Sequence, residues 1–240
     1  MANKDLRNWI EGIEAAGELH KISGAEPTEE IGGIVDIVQR KMGNPALIFD
    51  EVPGYAKGFR VMANLLTSVP RINVALGLPP DASEMDLVHW WRDYMRAAPT
   101  FEPTEVNGGP LLDNVREGKQ VDITTIPTPT WHENDGGPFI GTGCMVVMKD
   151  PDTGWINCGT YRVQSHEPDV ASVMMSPGKH GGFIMEKYHA RGEACPIAVV
   201  VGMHPAMLMI GGLEIAYGKN EYDAIGGILG EGVEVINMPK

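Results

Sequence analysis

The chain has no basic excess. Its 240 residues hold 19 Lys and Arg against 32 Asp and Glu, a formal net charge of −13. Gripping nucleic acid requires a stripe of Lys and Arg to neutralise phosphates, and none is present, so nucleic acid is excluded as a partner. The same acidity disfavours an anionic membrane surface. Long apolar runs are also missing, since nothing approaches the ~20 apolar residues that a membrane span requires. The opening Met1-Ala2-Asn3-Lys4-Asp5-Leu6 lacks the apolar stretch of a secretory signal. Cysteine is scarce: Cys144, Cys158 and Cys195 are widely separated and form no CxxC pair. That excludes a disulfide scaffold and a zinc knuckle, and predicts buried thiols in a reducing, cytoplasmic setting. A GxGxxG fingerprint, a phosphate loop of GxxxxGK[ST] form, a nucleophile elbow and internal repeats are all absent.

What the chain does have is glycine and proline, 30 and 18 residues spread as turn punctuation. Such density suits short strands and tight connections that approach a ligand closely. Leu6, Trp9, Ile10, Ile13 and Ala16 recur at helical spacing, with Gly17 as the cap. A second helix opens at Thr28-Glu29-Glu30-Ile31. Ala46 to Phe49 and Arg60 to Asn64 predict strands, Val69 to Leu76 a helix, and Ser83 caps a helix carrying Trp90 and Trp91. These alternating elements predict a small α/β domain over residues 1–100. Prolines 99, 103, 110, 127 and 129 mark a connection over residues 101–130. Residues 131–240 predict a β-rich α+β domain. Its strand runs are Phe139 to Met148, Trp155 to Gln164, Val170 to Met175 and Ile197 to Met203, with helices at Met185 to Arg191 and Glu221 to Leu229. Asp150-Pro151-Asp152-Thr153-Gly154 is a hairpin turn between the first two runs.

Chemistry concentrates in Trp155-Ile156-Asn157-Cys158-Gly159-Thr160-Tyr161-Arg162 and Ser176-Pro177-Gly178-Lys179-His180-Gly181-Gly182. On an ideal strand Asn157 and Arg162 face opposite ways, so they share a site only if the strand twists, bulges or ends near Gly159. A strand with one exposed Asn and one exposed Arg is the plainer alternative. The Pro-Gly turn before His180 offers backbone N–H groups and Lys179 to an anion, or is simply a strand-to-helix turn. Glu221 starts a helix, where a carboxylate either caps or joins Asn157 and His180 in a hard O/N/O set suited to Mg2+ or Mn2+. His132 to Gly137 is a polar loop or a turn, His166 and His189 are solvated, and His204 beside Pro205 is structural or lines a pocket. The Met runs at 174–175 and 203–209 are core filler.

These segments, with Asn220-Glu221-Tyr222-Asp223 and Gly226-Gly227-Ile228-Leu229-Gly230, resemble the UbiD family of decarboxylases. Asp5 to Ile10, Gly17-Glu18-Leu19 and His132 to Gly143 are similar as well. The resemblance covers the whole chain. It implies an N-terminal α/β domain followed by a split β-barrel, flavin-reductase-like domain that binds prenylated FMN. It further implies that Asn157, His180 and Glu221 hold Mn2+ or Mg2+ against the cofactor phosphate. A K+ site is implied near Gly211 to Leu213, with Glu221 shared. Thr160, Tyr161, Arg162, Met175, Ser176, Pro177 and Gly181 match cofactor-contacting segments, and Arg162 matches the catalytic arginine. The implied reaction is reversible, non-oxidative decarboxylation of a phenolic or heteroaromatic acid to CO2. A flavin prenyltransferase would supply the cofactor, and the full-length form would be a homo-oligomer. In the family the acidic catalytic residues lie beyond the metal-binding Glu, and here the sequence stops at Lys240. The chain is therefore expected to be an N-terminal half, inactive or impaired alone, with a flavin- and metal-binding subunit as the alternative.

Overall fold

The structure, a computed structural model, describes residues 5–41, 43–141 and 143–238. Met1 to Lys4, Thr142 and the closing Pro239-Lys240, all read above, lie outside the described residues. The first half builds α1 (Leu6–Ala15), β1 (Leu19–Ser23), α2 (Glu30–Gln39), β2 (Ala46–Asp50), β3 (Val61–Ala63), α3 (Val69–Ala75) and α4 (Glu84–Ala97). Asp5 caps α1, its side chain accepting from Asn8 N–H at 2.9 Å, and Gly17 at φ +74° turns the chain beyond it. Ser83 and Asp86 form a reciprocal capping box on α4. Strand β2 is central, parallel to β1 and antiparallel to β3. Its residues alternate between two helical layers. Leu47 and Phe49 pack with Ile31 of α2, and Ala46 packs with Trp9 and Ile13 of α1. Each large apolar side chain buried in this way contributes ~1.5–3 kcal/mol.

The second half builds β4 (Thr104–Glu105), three short 3-10 turns, β5 (Phe139–Gly141), β6 (Met145–Lys149), β7 (Ile156–Gly159), β8 (Arg162–Glu167) and β9 (Val170–Met174). It continues with α5 (His180–Ala190), β10 (Ile197–Val200), α6 (Pro205–Gly211), α7 (Glu221–Leu229) and β11 (Glu234–Val235). Two three-stranded antiparallel sheets result, ordered β10-β6-β7 and β5-β8-β9. Among the described residues these strands do not close into a barrel, so the split barrel expected from the resemblance is present as two open sheets. Strand β6 is buried on both faces. Cys144, Val146 and Met148 pack with Ile184 of α5, whereas Met145 packs with Ile210 and Ile225 of α6 and α7.

Residues 101–130 are tied at both ends rather than free. Strand β4 pairs with β11, and Thr130 bridges to Thr28. Helix α4 reaches the second half through Tyr94, whose hydroxyl donates to the Ala224 carbonyl at 2.6 Å. Among the described residues no helix is long and apolar enough to cross a membrane.

Candidate functional site

The run from Trp155 to Gln164 is not one strand. Strand β7 ends at Gly159 and β8 begins at Arg162 in the other sheet, so Thr160 and Tyr161 bridge two sheets. The break has a steric cause. The Tyr161 ring lies where a Gly159 Cβ would stand, 2.4 Å from the nearest ring atom, so only glycine admits the fold-back. It also resolves the facing conflict between Asn157 and Arg162, because both now line one cavity of about 650 Å3. Thr160, Tyr161, Ser176, His180 and Glu221 line it too.

Asn157 and Glu221 are each only 2 % exposed. Asn157 Nδ2 donates to Glu221 Oε1 at 2.9 Å, and the Cys158 N–H donates to Oε2 at 3.1 Å. Burial pushes the Glu221 carboxyl up, against the lowering pull of those donors and of His180. Asn220 caps α7 by accepting from the Tyr222 N–H at 3.0 Å, which places Glu221 at the first helical position. The Tyr161 hydroxyl donates to Asn157 Oδ1 at 3.4 Å and accepts from the Gly181 N–H at 3.0 Å.

Helix α5 starts at His180, five residues before the position expected from its apolar spacing, because Gly181 and Gly182 hide the helical pattern. Its N-cap Lys179 makes no side-chain capping bond. An uncapped helix start facing a cavity suits an anionic group. Trp155 and Tyr217 enclose the His180 ring, with centroids at 5.3 and 5.5 Å. Arg162 is exposed and forms no ion pair among the described residues. Its guanidinium touches Met174 Sδ at 3.3 Å and lies 5.8 Å from the Phe139 ring centroid.

Some expected residues stand elsewhere. Met175, Pro177 and Gly181 do not line the cavity. Met175 points inward, its Sδ 2.5 Å from where a Gly181 Cβ would sit, and Met174 takes the lining position. The Gly211 carbonyl, expected near a cation, accepts from Thr160 N–H at 3.1 Å. Among the described residues no cluster of three His, Cys, Asp or Glu could hold a metal, so any such site here draws on Asn157. His204 is 2 % exposed and accepts from Ala206 N–H through Nδ1. Asp135 Oδ2 accepts from the N–H groups of Trp131 and His132, which makes that loop a closed turn. Sequence reasoning missed Phe183, Glu214 and Tyr217 in the lining. Phe183, three residues after His180 on one helix, was the recoverable signal.

The profile of the 3-octaprenyl-4-hydroxybenzoate carboxy-lyase N-terminal domain matches residues 10–90, and that of the Rift-related domain matches residues 104–240. Pyrrole-2-carboxylic acid decarboxylase of Pseudomonas aeruginosa is 30 % identical over 97 % of this chain and 48 % of its own length. Phenolic acid decarboxylase of a Streptomyces species is 30 % identical over 100 % of this chain and 51 % of its own. The chain thus spans about half the length of the curated relatives it matches. Among solved structures, vanillic acid decarboxylase of Sedimentibacter hydroxybenzoicus in closed form aligns with a TM-score of 0.91 at 26 % identity, over 98 % of this chain and 51 % of that one. An evolved dimeric UbiD-class enzyme of Pelotomaculum thermopropionicum, in complex with prFMN, shares the fold with a TM-score of 0.85 at 24 % identity, over 99 % and 53 %. Both profiles fall in order on one chain, the second spanning every residue that builds the cavity, and the chain belongs to the UbiD family.

Proposed function

We propose that this chain provides the cofactor- and metal-binding part of a reversible, non-oxidative decarboxylase acting on a phenolic or heteroaromatic acid. The observation that carries the reading is the convergence of Asn157, His180, Glu221 and Arg162 on one cavity. Prenylated FMN, made by a flavin prenyltransferase, would supply the electron sink that side chains lack. Asn157 and Glu221 oxygens with the His180 imidazole suit Mn2+ or Mg2+. The fit rests on Glu221, a buried carboxylate with no Lys or Arg ion-pair partner among the described residues, a cost that a divalent cation would relieve. Lys179 and the α5 N-terminus would receive the phosphate. Thr160, Tyr161 and Ser176 would border the flavin, with Met175, Pro177 and Gly181 shaping the wall from behind. Backbone carbonyls at 211–213, with Glu221, would hold K+, although Thr160 already engages Gly211. Arg162 would orient the substrate carboxylate through two parallel N–H bonds.

In this reading the α/β domain of residues 1–100 and the connection of 101–130 support a cofactor domain over 131–240. Three unpaired thiols favour a reducing, cytoplasmic setting, and a homo-oligomer is the expected assembly. A second reading, a flavin- and metal-binding subunit that works with a partner chain, is favoured because no described carboxylate pairs with Arg162. The test is co-expression with a flavin prenyltransferase, then measurement of CO2 release from pyrrole-2-carboxylate and hydroxybenzoates. The expected outcome is a coloured protein whose turnover is absent or severely impaired when residues 1–240 act alone. Robust turnover by residues 1–240 would refute the subunit reading, and a colourless protein would refute the cofactor site itself.

A further inference from the structure

Helix α5 is tethered at the end that plays no part in the cavity. His180 and Lys187 are seven residues apart, about two turns, and so lie on one helical face. Lys187 Nζ donates to Asp150 Oδ2 at 2.5 Å and lies 3.3 Å from Asp152, which also pairs with Arg191. Asp150 is 1 % exposed and further accepts from the N–H groups of Asp152 at 2.9 Å and Thr153 at 3.0 Å. Those two bonds close the turn between β6 and β7, and β7 carries Asn157. One carboxylate thus fastens the helix that presents His180 to the hairpin that presents Asn157.

The opposite end of α5 is joined to Tyr161, whose hydroxyl accepts from the Gly181 N–H at 3.0 Å, but its helical start is weak. Its first turn holds Gly181 and Gly182, its N-cap makes no side-chain bond, and no acidic residue sits in that turn. Glycine at these positions weakens the helix start. A turn needs no lysine, and an ion pair with a buried carboxylate and a Lys187 side chain that is 31 % exposed adds little stability but can fix a register. Neither Asp150 nor Lys187 lines the cavity, so neither would touch cofactor or substrate.

We propose that the Asp150–Lys187 pair is a positioning device for the metal, setting the register of α5 on the β6–β7 hairpin so that His180 stands opposite Asn157 and Glu221. This rests on the reading of those three residues as metal ligands. The test is Mn2+ titration of the whole chain with FMN present, following free Mn2+ by electron paramagnetic resonance. Lys187→Met is expected to weaken Mn2+ about tenfold or more, in the range seen when supporting groups behind metal ligands are removed. Lys187→Arg, which keeps the charge, should stay within about twofold. Arg191→Met removes only the exposed part of the network and should cost about threefold. Unfolding temperatures are recorded in parallel. A fall in unfolding temperature with unchanged Mn2+ affinity in Lys187→Met would make the pair structural and overturn the proposal. If Lys187→Met does not fold, Arg191→Met decides, and unchanged affinity there overturns it. A wild-type chain that binds no Mn2+ removes the metal reading and the positioning role with it, whereas wild-type binding matched by the variant removes only the positioning role.

Discussion

Tyr161 depends on two absent Cβ atoms. A Cβ at Gly159 would enter its ring, and one at Gly181 would stand 2.8 Å from its hydroxyl and 2.5 Å from Met175 Sδ. The hydroxyl cleared by these glycines joins the start of α5 to Asn157. Gly181→Ala is therefore expected to cost ~1–3 kcal/mol of stability, as overpacking of a tight core does. It should also weaken FMN binding, checked by denaturant unfolding and fluorescence titration. Unaltered stability would mean that Met175 and Tyr161 give way at no cost. At this scale the residue types at the site were legible, because Asn, Arg, His and Glu among glycines are chemically conspicuous. Their neighbours were not. Tyr217 and Phe183 read as ordinary aromatics, and only the fold sets Tyr217 against the His180 ring.

Among the elements, the strongest periodicities and caps predicted best. Helix α7 spans Glu221–Leu229, the bounds expected for it, and Ser83 starts α4. Strand β1 was missed because Leu19-His20-Lys21-Ile22-Ser23 holds two apolar residues separated by polar ones, without clean alternation. Helix α6 was missed because its seven residues, Pro205 to Gly211, include no polar side chain and so show no polar face. It is a short helix packed in the core. The break between β7 and β8 was foreseen only as a condition for a shared site, since no local propensity separates Gly159 from Tyr161. Asn220 offers a test at this scale. Asn220→Ala removes the cap of α7 and should cost ~1 kcal/mol. Glu221 is the first residue of that helix, so Mn2+ affinity should fall along with stability. Stability loss with full Mn2+ affinity would show that the tertiary bonds of Glu221, not the cap, hold it in place.

Across the whole molecule, among the described groups shifted by their surroundings, His204 and Asp150 titrate far apart. Burial pushes the His204 imidazole down from 6.5 to about 4, although Asp5 opposes it. Between those values the unfolded chain takes a proton that native His204 refuses, so this contribution is complete above pH 6.5 and lost as pH falls towards 4. Asp150 behaves as a depressed carboxyl. Burial would raise it, but Lys187 and the amides of Thr153 and Asp152 prevail and lower it from 3.8 to about 2. Its contribution is complete above pH 3.8 and lost as pH falls to about 2. Stability is thus expected to decline in two acid steps. His204→Asn keeps an acceptor for the Ala206 N–H and should flatten only the upper step in unfolding measured from pH 7.5 to 3. An unchanged upper step would place its cause elsewhere.

We propose above that Asn157, His180 and Glu221 anchor a prenylated flavin through a divalent metal in the cavity that Arg162 borders. The most direct test is the visible absorption spectrum of residues 1–240 purified after co-expression with a flavin prenyltransferase, beside Asn157→Ala and Glu221→Ala variants. A flavin-type band is expected in the wild type and is expected to be lost in both variants. A colourless wild type, or a band of equal strength in all three proteins, would contradict it.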